Sequence, residues 1–262
     1  MLHANDIGKT FQRGNHRVTA LEGVTLQFSQ GQFSCILGPS GSGKSTLLHI
    51  LGGFEETTTG QVTLDEHPVL RPTRRLGMVF QHASLFPWRN IERNVAWPIE
   101  ANGGSRKQAR QTARELLGLV GLRGFERAYP AELSGGMRQR AALARTLAME
   151  PEVLLMDEPF GALDAQTREL MQEELSRIWQ ESKLTVVFVT HDISEAVFLG
   201  DRVVLLSARP GRVAHDITIE LDRPRDAETK KSKQLLDYHN ELWDLLRVEI
   251  DNGDAAIAEV GA

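Results

Sequence analysis

The chain has 262 residues, of which 41% are apolar and 25% charged, and its formal net charge at pH 7 is −5. This length and composition are typical of a globular protein with one large or two small domains and a sizeable core. The acidic balance argues against a nucleic-acid binder that works by bulk electrostatics. The single cysteine, Cys35, excludes an internal disulfide, and its apolar neighbours predict a buried, inert thiol in a reducing compartment.

No segment of the sequence has the length and apolarity of a membrane span. A span needs about eighteen consecutive apolar residues, and no run approaches that length. The first residues (Met-Leu-His-Ala-Asn-Asp) contain no basic segment leading into an apolar stretch, so no signal peptide is predicted. We therefore expect a cytosolic chain, and a role at a membrane would need another polypeptide to cross it.

Short apolar runs with helical segments between them predict an α/β architecture. Residues 24–28 and 61–64 alternate between apolar and polar, which is typical of half-exposed antiparallel strands. Five further runs are continuously apolar and predict strands buried on both faces: Phe33–Leu37, 77–80, Val153–Asp157, 185–190 and 203–206. The chain is thus expected to contain two kinds of strand.

Between the second and third of these buried strands the pattern becomes helical. Apolar residues at three- and four-residue spacings over 109–120 form one amphipathic face. A further helix is expected from about 134 to 149, with Pro151 beyond its end. We therefore predict a mostly helical insertion at about 82–150, inside a domain that spans residues 1–222.

The remaining segments continue the alternation and then become polar. A helix is predicted at 166–181, and an apolar stripe on it is expected to pack against the sheet: Leu170, Met171, Leu175, Ile178 and Trp179. The charged residues at 222–226 predict a linker. Residues 223–262 are then expected to form this linker, one helix through 235–250 and a frayed acidic tail.

The segment Gly-Pro-Ser-Gly-Ser-Gly-Lys-Ser at 38–45, called the phosphate loop below, matches the full G-x-x-x-x-G-K-[ST] pattern. Its glycines let backbone N–H groups surround phosphate oxygens, and the helix that opens near Lys44 adds its positive end. Lys44 is placed to reach the β- and γ-phosphates, and the Ser45 hydroxyl to ligate Mg²⁺. The predicted nucleotide-binding residues here are Gly38, Pro39, Ser40, Gly41, Ser42, Gly43, Lys44, Ser45 and Thr46.

Two adjacent carboxylates, Asp157 and Glu158, follow the apolar run Val153–Leu154–Leu155–Met156. They are therefore predicted at the carboxyl end of a buried strand, where α/β sheets bind ligands. Adjacent strand residues point to opposite faces, so one carboxylate can hold a metal while the other orients an attacking water. On this logic, and by the family resemblance given below, Asp157 is assigned to Mg²⁺ and Glu158 to the general base.

Residues 133–137, Leu-Ser-Gly-Gly-Met, stand between these two halves of a nucleotide site and are called the signature segment below. With the phosphate loop and the paired carboxylates, they make the chain resemble an ATP-binding cassette (ABC) ATPase, the motor subunit of a membrane transporter. The resemblance covers about residues 5–220. It implies a P-loop NTPase (RecA-like) core with an antiparallel β subdomain and a helical subdomain that carries the signature segment.

The resemblance also assigns roles to single residues. Gln81 matches the residue that touches the metal or the water, and His191 matches the switch histidine at the γ-phosphate. Asp164, in Gly-Ala-Leu-Asp, matches a loop that crosses a dimer interface. Phe11 stands where the family has an aromatic ring on adenine, although a phenylalanine at a strand end is more often a core residue.

The signature segment implies that a second molecule completes the site. In the family each ATP lies between the phosphate loop of one subunit and the signature segment of its partner, here Ser134, Gly135 and Gly136. Two such sites form across a two-fold axis in a head-to-tail dimer. Methionine at 137 replaces the commoner glutamine, and it leaves the backbone contacts to the anion unchanged.

A finer resemblance is to the nitrate/sulfonate/taurine branch of bacterial importers. It rests on Leu-Phe-Pro-Trp-Arg at 85–89, on the run 188–199 and on Leu-Ser-Ala-Arg-Pro-Gly at 206–211. It implies a membrane permease that contacts residues near 82–99, a periplasmic or lipid-anchored solute-binding protein, and a peripheral position at the cytoplasmic face of the inner membrane. Trp88 and Trp97 suit an interface with the permease, with core packing as the alternative.

Other functions explain less of the sequence. An ABC ATPase that works on DNA or ribosomes would carry long insertions and usually a basic face, and a metabolic kinase would leave the signature segment unexplained. An exporter is usually fused to membrane helices. The solute itself stays open among nitrate, taurine, alkanesulfonates, bicarbonate and small organic nitrogen compounds.

Overall fold

The computed structural model describes residues 1–14, 16–161, 163–182 and 184–260. The strands are β1 (Leu2–Arg13), β2 (His16–Phe28), β3 (Phe33–Leu37), β4 (Thr59–Leu64), β5 (His67–Pro68), β6 (Leu76–Val79), β7 (Val153–Asp157), β8 (Thr185–Val189), β9 (Arg202–Leu206) and β10 (Val213–Thr218). The helices are α1 (Lys44–Leu51), α2 (Ile91–Ala101), α3 (Arg106–Leu119), α4 (Gly135–Leu147), α5 (Ala165–Ser182), α6 (Ile193–Leu199) and α7 (Lys233–Val260), with 3-10 turns at Pro130–Glu132 and Thr229–Lys231. The chain divides into two compact units, Met1–Thr73 with Leu184–Ala262, and Arg74–Lys183.

The first unit contains an antiparallel sheet in the order β2-β1-β4-β5. The alternation predicted at 24–28 is observed, because Val24, Leu26 and Phe28 are buried while the residues between them are exposed. The strand predicted at 61–64 is β4, which alternates in the same way over its last three residues. The sequence did not predict β1, whose register against both neighbours contains irregularities.

The first unit also contains the parallel strands that carry the phosphate loop. In this unit β3 lies between β8 and β9 and is parallel to both, while β10 pairs antiparallel with β9. All five residues of β3 are buried, as continuous apolar strands of a parallel sheet require. Cys35 lies in this strand and is buried, as predicted, and its burial raises the pKa of the thiol far above the usual range.

The second unit combines the parallel pair β6 and β7 with helices α2 to α5. All regular structure in residues 82–150 is helical, so the predicted helical character of this segment is confirmed. In α3 the apolar face buries Ala109, Ala113 and Leu117. In α5 the predicted stripe is wrong at one position, because Leu170 is 63% exposed while the other four residues are buried.

The segment after residue 222 is tied to the first unit, whereas the sequence predicted a linker. The Arg225 guanidinium is buried and donates to the carbonyl oxygens of Val197, Phe198 and Gly200. Carbonyl groups at the end of a helix accept no hydrogen bond from within it. At the end of α6 the guanidinium supplies the missing donors. Burial lowers the pKa of Arg225 to about 10.

The predicted last helix is α7, which runs to Val260; the fraying predicted from residue 251 stays a prediction, and the last two residues of the chain lie outside the described residues. An alanine-rich end favours helix. Packing explains why a glycine stands at position 253, since a Cβ atom there would lie 2.5 Å from Ala208 Cβ. Among the described residues, no helix combines the length and the apolarity that crossing a bilayer requires.

Candidate nucleotide site

The phosphate loop joins β3 to α1 in the first unit and depends on glycines with left-handed backbone. Gly41 and Gly43 have φ of 78° and 88°, values that glycine adopts at little cost. At Gly43 a Cβ atom would lie 2.7 Å from Leu21 Cδ2 and 2.9 Å from Ala20 O. The phosphate loop therefore packs so closely against β2 that no side chain fits at Gly43.

Lys44 is held inside the loop. Its side chain is only 6% exposed, and Nζ donates to Gly38 O at 2.8 Å and to Pro39 O at 2.9 Å. A buried ammonium needs compensating oxygen atoms, and here the loop's own carbonyls supply part of them. The cation thus points into the turn that would enclose a phosphate.

Two further observations show that the loop fits a phosphate group. Gly43 precedes α1 without a side-chain cap, and the first N–H groups of a helix have no acceptor within it. Ser42 Oγ is fully buried and has no hydrogen-bond partner among the described residues. A buried hydroxyl without a partner is costly, and a bound phosphate oxygen would satisfy it.

His191 lies at the end of β8, in the same unit and at the same sheet edge as the phosphate loop. Thr190 N donates to Ile36 O at 3.1 Å, which joins the ends of β8 and β3. The turn is closed by Thr190 Oγ1, which donates to Glu195 Oε2 at 2.6 Å and accepts from Asp192 N at 3.0 Å. This leaves His191 exposed at the carboxyl edge of the strands, where α/β sheets bind ligands.

Phe11 lies in β1 with its ring 41% exposed, so the core alternative for this residue is wrong. Lys9 Nζ lies 4.9 Å from the centre of the ring. The cation is attracted electrostatically to one face of the aromatic ring. Contact with adenine stays a prediction.

In the second unit, the paired carboxylates lie at the carboxyl end of β7. Asp157 ends the strand and is buried, while Glu158 leaves it with φ of 41° and is partly exposed. Gln81 follows β6. Gln81 Nε2 and Glu158 Oε2 each lie 3.7 Å from the position that a Cβ atom would take on Gly161, so the structure brings these two predicted site residues together.

The signature segment forms the start of α4. Ser134 is the N-cap, and its Oγ accepts from Met137 N at 3.3 Å. Ser134 and Gly135 are exposed, whereas Gly136 is buried and a Cβ atom on it would lie 2.5 Å from Thr167 Cγ2. The helix start is therefore an open, positively polarised terminus.

Asp164 caps α5 in the second unit. Its carboxylate Oδ1 accepts from Thr167 N at 3.0 Å. Hydrogen bonds from the Thr167 side chain and backbone hold the pKa of this carboxyl below its usual value. Asp164 is exposed, and its predicted place at a dimer interface stays a prediction.

The segment around Gln81 is held in place by two residues on α4. The sequence analysis did not identify either of them. Gln139 is buried, and its Nε2 donates to Phe80 O at 3.1 Å and to Gln81 O at 3.2 Å. Arg145 donates to Ser84 O at 2.8 Å and to Ala83 O at 3.1 Å. The signal for Gln139 is a polar residue on the alanine-rich buried face of a predicted helix, which indicates a satisfied hydrogen bond.

We expect Gln139→Leu to destabilise the chain by about 1–3 kcal/mol, because two carbonyl oxygens lose the donor that the buried Gln139 side chain supplies. The substitution should also lower ATP turnover, since Gln81 loses its backbone restraint. Thr146→Val is the control, because that hydroxyl bonds Met78 O at 3.3 Å, before the segment around Gln81 begins. Thermal melts and hydrolysis rates of both variants check this, and equal turnover in the two would contradict a positioning role for Gln139.

The segment predicted to contact a permease carries a surface aromatic cluster. Trp88 is 72% exposed, so core packing is wrong for this residue. The Phe86 ring centre lies 5.7 Å from that of Trp88 and 6.0 Å from that of Trp97. Buried Asn94 fixes the turn beneath them by accepting from Phe86 N at 2.7 Å and donating to Arg89 O at 2.9 Å.

Comparisons with known proteins show the family of this chain. The family model described as ABC transporter matches residues 21–161. A nitrate import ATP-binding protein of Synechocystis sp. is 44% identical over 265 residues, which cover 98% of this chain and 99% of the relative. An aliphatic sulfonates import ATP-binding protein of Bacillus thuringiensis is 42% identical over 231 residues, covering 88% of this chain and 91% of the relative.

A solved structure gives the same result for the fold. It is described as the dimeric, post-hydrolysis state of an ATP-binding cassette bound to ADP and Pi. It superposes with a TM-score of 0.76 at 34% identity and covers 85% of this chain and all of that chain. The predicted fold class is confirmed, and the chain belongs to the ABC transporter family of ATP-binding, ATP-hydrolysing proteins.

Proposed function

We propose that this chain is the ATP-binding and ATP-hydrolysing subunit of a bacterial ABC importer for a small anion such as an aliphatic sulfonate, taurine or nitrate. The observation that carries the proposal is the exposed start of α4 at Ser134 and Gly135. A chain that already has a phosphate loop does not need a second anion-binding terminus for one ATP. In a dimer, that terminus can bind the ATP held by the second copy of the chain.

The phosphate loop binds the triphosphate of ATP through residues 38–46. Lys44 neutralises the β- and γ-phosphates, while Ser42 Oγ and the amides at the start of α1 donate to oxygen atoms. The exposed Phe11 ring lies against adenine. Mg²⁺, held by Ser45, Gln81 and Asp157, would neutralise charge on the phosphate oxygens.

Hydrolysis depends on three side chains of this chain. Glu158 accepts the proton of the attacking water, and Gln81 orients that water. His191 donates to the γ-phosphate, where negative charge develops as the bond breaks. The hydrogen bond from Thr190 to Glu195 in the turn that carries His191 supports this proposal.

Two copies bind head to tail. Ser134, Gly135 and Gly136 of one copy complete the ATP site of the other, and Asp164 lies at the interface between them. ATP is then an interface ligand, so its binding closes the dimer and its hydrolysis opens it. This arrangement is isologous, with two equal sites across one two-fold axis.

Closure performs transport through a permease that contacts residues 82–99, where Trp88 and Trp97 supply interface anchors. The chain is then peripheral at the cytoplasmic face of the inner membrane, and a periplasmic or lipid-anchored binding protein delivers the solute. The relatives named for nitrate and aliphatic sulfonates support a small anion. Residues 1–222 form the ATPase domain in this proposal, with the helical part inserted at 82–150, and 223–262 form a C-terminal extension.

Affinity purification of the chain from its native membrane tests the importer role. We expect a permease and a solute-binding protein to co-purify, and the binding protein can be titrated with nitrate, taurine and alkanesulfonates. A Trp88→Ala variant should recover less permease at unchanged thermal stability, because this side chain is largely exposed. Recovery with ribosomes or DNA and without a membrane partner would contradict the proposal.

A further inference from the structure

One turn of the first unit has no role in the mechanism above. It follows β9 and comprises residues 207–212, Ser-Ala-Arg-Pro-Gly-Arg, called the Arg-Pro-Gly turn below. Ser207 closes it, because its Oγ donates to Pro210 O at 3.0 Å and accepts from Arg212 N at 3.0 Å. The backbone adds a bond from Ser207 N to Arg212 O at 2.9 Å.

The Arg-Pro-Gly turn packs directly on the phosphate loop, within the same unit. A Cβ atom on Gly211 would lie 2.0 Å from Ser42 O, so only glycine allows this approach. Gly211 is fixed there by two backbone bonds to β2: its N–H donates to Ala20 O at 2.9 Å, and its carbonyl accepts from Glu22 N at 3.0 Å. The turn and the phosphate loop therefore form one rigid assembly.

This packing places the Arg209 side chain at the loop. Its Nη2 lies 3.3 Å from the position that a Cβ atom would take on Gly41, one of the left-handed glycines. Arg209 is exposed, and no hydrogen bond or ion pair among the described residues involves its guanidinium. Arg212 in the same turn differs, because it pairs with Glu22 at 2.9 Å.

We propose that Arg209 is a second phosphate-binding cation of the ATP site, acting beside Lys44. A guanidinium presents several donors in a planar fork that matches phosphate oxygens. Gly41 belongs to the part of the loop whose N–H groups surround the phosphates, so a cation against it lies next to the anion. The inference rests on the proposed ATP site and adds a residue to it.

Titration calorimetry of the full-length chain with ATP, in EDTA to prevent hydrolysis, tests this role. We expect Arg209→Gln to raise the Kd for ATP on the order of tenfold through loss of charge-assisted hydrogen bonds. The dependence of Kd on salt should become weaker, because one exposed ionic contact is gone. Arg212→Gln removes the same charge from the same turn and should leave Kd unchanged.

Several results would overturn the proposal. A Kd for ATP within twofold of the parental value in Arg209→Gln would do so, and so would a higher Kd with unchanged salt dependence. Loss of ATP-dependent dimerisation at unchanged Kd would place the guanidinium against the second copy instead. Lys44→Ala separates this failure from failure of the proposed function: if the parental chain binds ATP and Lys44→Ala does not, the ATP site stands whatever Arg209 does.

Discussion

Glu158→Gln is expected to bind ATP as the parental chain does and to hydrolyse it more slowly by a factor on the order of 10²–10⁴. The amide keeps the shape of the side chain but cannot accept the proton of the attacking water. Gln81 Nε2 lies near the same point as Glu158 Oε2, so the neighbouring geometry should survive. Steady-state phosphate release and ATP binding, measured on the same preparation, check both parts.

Glu152→Gln is the matched control for this prediction. Glu152 precedes the other end of β7 and pairs with Arg75 through exposed side chains. Exposed ion pairs contribute little to stability, and this one lies at the opposite end of the strand from Glu158. Parental turnover in Glu158→Gln, or an equal loss in Glu152→Gln, would remove Glu158 as the general base.

Ser134→Arg is expected to abolish hydrolysis, at least about 100-fold in rate, while a lone subunit still binds ATP. The substitution fills the space at the start of α4, where the partner's phosphate would bind, with a long side chain, and its charge opposes the positive end of the helix dipole. It also removes the acceptor for Met137 N, which costs about 1 kcal/mol in a typical N-cap. That loss is too small to unfold the domain.

Ser105→Arg measures the capping loss without touching the signature segment. Ser105 is the exposed N-cap of α3, and its Oγ accepts from Gln108 N at 3.2 Å. The two variants should lose similar stability, but only Ser134→Arg should lose hydrolysis. A parental ATPase rate in Ser134→Arg would contradict a site completed by a second copy.

The elements with the strongest sequence patterns were predicted well, and physical reasons explain why. Phe33–Leu37 and Val153–Asp157 are short, mostly apolar runs, and the observed strands match the predicted limits. Asp157, Glu158 and His191 lie at or just after strand ends, while Lys44, Ser134 and Asp164 lie at the starts of helices. Their roles at a nucleotide stay predictions.

The residues that sequence reasoning missed have environments set by distant segments. The burial of Arg225 within the predicted linker at 222–226 was not predicted, because its guanidinium donates to carbonyl groups 25 to 28 residues earlier in the chain. Leu170 fits the helical period but lies at the margin of the buried face, where a small rotation exposes it.

Gln139 and Arg209 show a second limit of sequence reasoning. Gln139 acts through backbone carbonyls, and any residue type can supply those. Arg209 gains its place from Gly211, whose close approach to Ser42 O depends on the fold rather than on local pattern. A motif shared within a branch marks such residues without revealing what they contact.

The mass of Glu158→Gln in solution, measured by sedimentation with and without ATP, tests the central claim most directly. We predict a 29.2 kDa monomer without nucleotide, and with ATP a dimer of twice that mass carrying two ATP molecules. Ser134→Arg in the same background should stay monomeric while binding one ATP. A Glu158→Gln chain that remains monomeric at saturating ATP and at high protein concentration would contradict a motor built from two head-to-tail copies.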